Sequence, residues 1–353
     1  MTRAAKKVLI VGAGRIAGLN ERDPARRKPC THAGAILSQP GLELAGVVDL
    51  DLERAREFAR GFDLAFAGTD ISAAMAQIRP DIVTVAVPYR IQHDVVMGIA
   101  GGPHRPHRML LEKPLADDLA RAETLVSACR DTGIDLLISN ECVAPVYDQI
   151  RSLIADRFGD EVISASAWCS SGMHAVGIHM IGILRHLFGE VAWVRAVGET
   201  EYVDSLPFSA NFVPDDPRVH GMLIFRNSVS AFLTNSALTR YTYKEIEIIC
   251  RDGKIRLSDN GNLLQLWSTA EPGTSTLSYK LSEPETIPVE PGTAFGAIGR
   301  CLAAAENVGH SIIGGAQGLA TYGVLDALIR SAREDREIHL SQAPGRGAIE
   351  AQA

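Results

Sequence analysis

Four groups of residues in this sequence have the types and spacing of a chemical site. In Gly12-Ala13-Gly14-Arg15-Ile16-Ala17, closely spaced glycines follow directly on the apolar run Val8-Leu9-Ile10-Val11. Such a strand-turn-helix start aims backbone N–H groups at a diphosphate. Gly12 makes the tight turn, Gly14 lets the backbone approach the phosphates, and the small Ala17 allows helix to pack closely on strand. Asp49 closes the next apolar run, where a carboxylate accepts hydrogen bonds from ribose hydroxyls and repels a 2′-phosphate. Lys113 follows Met109-Leu110-Leu111, and ligands of open α/β sheets bind outside the carboxyl ends of such strands. His179, Gly182 and His186 share one stripe of a helix expected over 177–189, facing either solvent or a cleft. Together these point to a dinucleotide. NAD is favoured because Leu50 follows Asp49, while Arg54 one turn later keeps NADP open.

The elements that must position these groups alternate. Strands are expected over 42–48, 80–88, 109–111 and 134–140, with helices over 52–60, 94–100 and 115–132 between them. That alternation predicts a doubly wound parallel sheet. The charged, proline-bounded stretch 19–29 interrupts the first helix as an insertion. Its Arg22, Arg26, Arg27 and Lys28 either form a solvated loop or meet an anionic group. From 146 the pattern changes to helices over 146–158 and 177–189 among strands over 162–168, 191–203, 220–233, 246–257, 263–267 and 275–281. Helices over 295–306 and 315–332, a short strand over 337–340 and a frayed tail from Pro344 complete the chain. The fold class is therefore α/β, with a dinucleotide-binding domain over 1–140. A second α+β domain over 141–343 is built on a large, open, mostly antiparallel sheet.

Composition bounds the partners. The 353 residues are 46% apolar and 22% charged, enough for two ordinary domains of a soluble protein. A formal net charge of -7 argues against nucleic acid and leaves a small molecule as the expected partner. The apolar runs are too short for a membrane span. Six scattered cysteines without a Cys-x-x-Cys pair indicate neither a zinc site nor a disulfide framework, so a cytoplasmic setting is expected. His104 and His107 are separated and flanked by prolines that prevent the helix a metal pair would need.

Beyond the glycine turn, nearly the whole chain resembles the glucose-fructose oxidoreductase and inositol dehydrogenase (Gfo/Idh/MocA) family. The residues that carry the resemblance are Gly12 to Ala17, Asp49, Pro88 with His93, Glu112-Lys113-Pro114-Leu115, Gly177-Ile178-His179 and Ala327 to Ala332. The resemblance implies an N-terminal Rossmann domain binding NAD or NADP through Gly12, Gly14, Arg15, Ile16, Asp49, Pro88, His93, Glu112 and Lys113. It implies a C-terminal sheet that lines a substrate cleft and joins subunits into a homodimer or homotetramer. The implied chemistry is hydride transfer at a hydroxyl-bearing carbon of a sugar, cyclitol or nucleotide sugar. Lys113 would lie beside the nicotinamide, His179 would be the acid-base group, and Asn140, His174 and Tyr241 are candidate substrate contacts. Three positions depart from the pattern: Ala175 and Gly182 stand where carboxylates are usual, and Cys142 where an arginine is common. Either Lys113 and His179 work alone or His174 substitutes. Two other outcomes stay open: transient oxidation by tightly held NAD, ending in epimerisation or elimination, and a dinucleotide sensor without chemistry.

Overall fold

The computed structural model describes residues 5–199, 216–236, 239, 241–270, 280–309 and 311–341. The chain divides into two compact units, Met1–Asp148 with Glu290–Leu319, and Gln149–Val289 with Ala320–Ala353. In the first, β1 (Lys6–Val11), β2 (Leu42–Val48), β3 (Phe66–Gly68), β4 (Ile82–Val85), β5 (Arg108–Leu111) and β6 (Asp135–Ile138) pair in parallel in the order β3-β2-β1-β4-β5-β6. Val8, Leu9, Ile10, Ile82, Val83, Met109, Leu110 and Leu111 are fully buried, as expected of strands covered on both faces. The chain leaves β1 towards β2 on one side and returns to β4 on the other. That reversal is the point outside which a doubly wound sheet forms its ligand crevice.

The helices of this unit are α1 (His32–Leu37), α2 (Leu52–Phe62), α3 (Ile71–Ile78), α4 (Tyr89–Gly101) and α5 (Leu119–Asp131). Thr31, Asp51, Asp70 and Asp118 cap four of them, each side chain accepting N–H groups of the first turn. Two boundaries differ from those expected. Helix α4 begins at Tyr89 rather than 94, because Pro88 has the extended backbone of an N-cap. Helix α5 begins at Leu119 rather than 115, because the Asp118 cap fixes its first turn and the buried Leu115 and Ala116 precede it. The short β3 and α3 had no expectation in the sequence.

The helix α6 (Pro145–Phe158) begins at the end of the first unit and leads in the second to β7 (Val162–Cys169), and one π-helical turn, Met173–Gly177, precedes α7 (Ile178–Phe188). The strands β8 (Val191–Glu199), β9 (Arg218–Phe225), β10 (Ser230–Asn235), β11 (Lys244–Cys250), β12 (Gly253–Ser258), β13 (Leu263–Ser268), β14 (Glu285–Ile287) and β15 (Ile338–His339) complete this region. The sheet order is β14-β13-β12-β11-β7-β10-β9-β8-β15, antiparallel except where β10 meets β7. The expected strand over 220–233 is two strands, divided at a turn where Ser228 takes a positive φ of 70°. Parts of three expectations, 200–203, 275–279 and the tail from 344, lie outside the described residues.

The segment Glu290–Leu319, expected within the second domain, belongs to the first compact unit. It carries α8 (Ala294–Ala303), and the following α9 (Gly315–Glu334) returns to the second. Arg108, fully buried, donates to the carbonyl oxygens of Cys301, Leu302, Ala304 and Glu306 and pairs with Asp135 at 2.7 Å. Its guanidinium thereby satisfies carbonyls that the end of α8 leaves without helical partners. Gly299 permits close approach to α1, since a Cβ there would stand 2.5 Å from the Ala35 carbonyl oxygen.

Candidate active site

The glycine turn follows directly from β1. The Gly12 N–H donates to the Val48 carbonyl at 2.7 Å, and its φ of 97° suits glycine. A Cβ there would also lie 2.5 Å from the Ala86 carbonyl oxygen. Gly14 is different: nothing stands within 4 Å of where its Cβ would be, so the backbone is open on that side. Ala17 is fully buried and Arg15 exposed, its Nε 3.4 Å from Asn20 Oδ1. Ile16 is half-buried.

Asp49, at the end of β2, is tied to this turn. Its Oδ2 accepts the Ala13 N–H at 2.8 Å, and its Oδ1 accepts from the Asp51 N–H at 2.9 Å and from Arg54 at 3.2 Å. A carboxylate offers about four acceptor positions, so three donors among the described residues leave capacity for a ribose hydroxyl. The open backbone at Gly14 and this carboxylate fit an NAD diphosphate and ribose respectively. The insertion is solvated as the charge run allowed: Arg22, Arg26, Arg27 and Lys28 are exposed. Glu21 fastens its end to α1 by accepting from Thr31 Oγ1 at 2.7 Å and the Cys30 N–H at 3.0 Å.

Lys113 is half-buried just beyond β5. Its backbone neighbours are held by Gln92 of α4, a residue the sequence reading did not single out. The buried Gln92 amide donates to the Glu112 carbonyl at 2.8 Å and the Pro114 carbonyl at 2.7 Å, one on each side of Lys113. Glu112 turns inward and accepts from His32 Nε2 at 2.9 Å. Burial pushes the Glu112 carboxyl up. The His32 hydrogen bond, the charges of His32 and Lys113 and a hydrogen bond from Ser139 outweigh it and hold the group below its ordinary value. His32 is fully buried and packs against Phe295, ring centroids 5.6 Å apart. Pro88 is exposed at the start of α4, while His93 Nδ1 lies 2.9 Å from Asp94 Oδ1 and 3.3 Å from Arg121 Nη2. Asn140 is buried, and its Oδ1 caps the following turn by accepting the Cys142 N–H at 3.0 Å.

The second unit places His174, His179 and Tyr241. His174 sits on the π-helical turn and His179 in the first turn of α7, both half-buried. Gly182, expected on a polar stripe with His179 and His186, is buried, and so is Arg185, which pairs with Glu190 at 2.8 Å. Asp216, unforeseen in the sequence, accepts the backbone N–H groups of His174 at 2.7 Å and Ala175 at 2.9 Å. Tyr241 is 66% exposed, its ring 5.5 Å from that of Tyr243. The Tyr243 N–H donates to Ser170 Oγ at 2.7 Å, so the tyrosine pair is anchored to the segment leading to His174.

Among the described residues no cluster of three His, Cys, Asp or Glu side chains has the form of a metal site. No helix among them is long and apolar enough to cross a membrane. The thiols of Cys129 and Cys169 are pushed up to about 12, chiefly by burial, and are poor nucleophiles.

Comparison with known proteins identifies the family and the fold. Residues 6–139 match the NAD-binding Rossmann-fold model of an oxidoreductase family, and residues 154–256 match the C-terminal domain model of the same family. D-apiose dehydrogenase of Paraburkholderia graminis is 22% identical over 325 residues, covering 85% of this chain and 84% of that protein. An oxidoreductase from Agrobacterium radiobacter, crystallised with NAD+, L-tartaric acid and magnesium, superposes with a TM-score of 0.75 at 18% identity, over 95% of this chain and 98% of that one. The WlbA dehydrogenase of Bordetella pertussis, crystallised with NADH and UDP-GlcNAcA, gives 0.70 at 18% identity, over 96% and 99%. With both domain models matched in order along the chain, it belongs to the Gfo/Idh/MocA family of NAD-binding oxidoreductases.

Proposed function

We propose that the protein is an NAD-dependent dehydrogenase or reductase acting on a hydroxyl-bearing carbon of a sugar, cyclitol or nucleotide-sugar-like substrate. The observation that carries this reading is the Gln92 clasp, which fixes the backbone on both sides of Lys113 at the carboxyl end of a central strand. Bound NAD would supply the hydride acceptor or donor. Gly12, Gly14, Arg15 and Ile16 would hold its diphosphate, Asp49 its ribose, and Pro88, His93 and Glu112 would shape the surroundings of Lys113. Lys113 would polarise the reacting oxygen, and His179 would take or return the proton, imidazole being suited to both near neutral pH. NAD is preferred to NADP because Arg54 is already engaged by Asp49 and Asp51, and a 2′-phosphate would meet the Asp49 carboxylate. The D-apiose dehydrogenase relative supports a sugar as substrate.

A dinucleotide titration followed by an absorbance scan at the reduced-nicotinamide band, with a panel of sugars, cyclitols and nucleotide sugars, tests the reading. His179-dependent reduction of NAD by one panel member sustains it. Tight binding without net redox change, but with altered substrate, would instead mark transient oxidation.

Asn140, His174 and Tyr241 are proposed substrate contacts. An exposed tyrosine gives a sugar an apolar face to stack on. Tyr241→Ala is therefore expected to raise KM about 10-fold while kcat stays within about 2-fold, the signature of lost uniform binding. Steady-state kinetics over a substrate series reads that split.

We also propose a homodimer or homotetramer formed through the second unit's sheet. Phe232, Met222 and Arg195 stand in one cross-strand row, with Ile224 and Trp193 in the next. Phe232 is 47% and Val197 60% exposed on this face, and exposed apolar patches of sheet are usual contact surfaces. Phe232→Glu should shift the species seen by light scattering towards monomer. An unchanged mass would remove this face from the assembly.

A further inference from the structure

One buried charge in the second unit has no part in the chemistry above. Asp216, two residues before β9, has a side chain only 6% exposed, and its Oδ1 lies 3.3 Å from His174 Nδ1, itself on a side chain 14% exposed. The two carboxylate oxygens separately accept the N–H groups of His174 and Ala175. Space for the carboxylate comes from Gly172, where a Cβ would stand 2.0 Å from Asp216 Cγ. Backbone, side chain and a missing Cβ thus converge on one carboxylate beside one imidazole.

We propose that Asp216 is a positioning residue that holds His174 as an acceptor for a hydroxyl of a polyhydroxylated substrate. The proposal rests on the dehydrogenase reading for its substrate class. The carboxylate stands at ion-pair distance from Nδ1 without the alignment of a hydrogen bond, and its negative charge favours the tautomer with the proton on that nitrogen, so Nε2 becomes the basic, hydrogen-bond-accepting atom. Sequence reading finds no carboxylate at Ala175. Asp216 brings one to the Ala175 backbone from a position 41 residues later.

An N-cap role alone would explain the two backbone hydrogen bonds, and the test separates it. Asn caps as well as Asp through one oxygen, so Asp216→Asn keeps one of the two backbone hydrogen bonds, turns an NH2 donor towards the other N–H, and removes the charge beside His174. The first readout needs neither cofactor nor turnover: nitrogen-15 NMR of the histidine-labelled full chain, with His174 assigned from His174→Gln. The expected result is the Nδ1–H tautomer in the unsubstituted protein and loss of that preference in Asp216→Asn. An Nε2–H tautomer, or no change on substitution, overturns the positioning role.

The second readout is kinetic, on the substrate found by the panel. Asp216→Asn and His174→Gln should each lower kcat/KM about 30-fold, and the double variant no further than His174→Gln alone. Additive losses would mean that Asp216 acts on its own, and near-normal kcat/KM in His174→Gln would remove His174 from the substrate. If the unsubstituted protein oxidises or reduces no panel member, the dehydrogenase reading fails and the polyol assignment falls with it. The tautomer result is independent of that outcome.

Discussion

Lys113→Ala is expected to lower kcat about 1,000-fold, within the range lost when a positioned proton-handling group is removed, while NAD binds within about 3-fold of its original affinity. The asymmetry follows from where the side chain is held. Lys113 emerges beyond β5 between two carbonyls fixed by Gln92, and truncation leaves those backbone hydrogen bonds intact. The glycine turn and Asp49 belong to β1 and β2 and are untouched. Binding measured by fluorescence titration and turnover followed at the reduced-nicotinamide band separate the two effects. Near-normal turnover in Lys113→Ala would sink the proposed mechanism, whereas a parallel loss of NAD affinity would recast the lysine as a cofactor ligand. Gln92→Ala should move the same way but less far, because it loosens the backbone that aims Lys113 without removing the ammonium.

What the sequence made legible was local. The run from β1 into Gly12 and Gly14 carries its own turn chemistry, and the apolar strands with an acidic or basic residue at the carboxyl end announce Asp49 and Lys113 as residues at a sheet edge. Partnerships across long separations were hidden. Gln92 lies 20 residues from the carbonyl of Glu112, His32 lies 80 from Glu112, and Asp216 lies 42 from the His174 N–H. No periodicity encodes such pairs, since helical or strand spacing reports which face an element buries and not which distant group meets it. Helix starts went astray for a related reason. Leu115 and Ala116 continue the apolar spacing of α5, yet the Asp118 cap begins the helix after them. The helix α8 reads as an ordinary amphipathic stretch, and the buried Arg108 beneath its end, with the close approach of Gly299 to α1, reveals which sheet it serves.

The second large effect concerns His32, which no motif marks. His32→Ala is expected to destabilise the first unit by about 3 kcal/mol at neutral pH, because it leaves a buried carboxylate without its nearest donor. The pH dependence gives this prediction its sign. The folded-state value of Glu112 is lowered, so ionised Glu112 contributes stability above the ordinary glutamate range, and that contribution is lost as pH falls through the folded value. Removing His32 deletes the hydrogen bond and the charge that opposed burial, leaving burial as the dominant influence and pushing the carboxyl up instead. Protonation then relieves the variant as the medium becomes acidic. Denaturant unfolding across a pH series should therefore show the penalty largest near pH 7 and shrinking towards about pH 5. A constant penalty would assign the loss to the cavity left by the imidazole against Phe295 rather than to the carboxylate. His32→Gln, which restores an N–H donor, should recover part of the stability and the pH dependence with it. Because Lys113 is the next residue and its charge helps keep Glu112 ionised, the same substitution should also lower turnover. The buried pair would then join the stability of the Rossmann unit to the placement of its lysine.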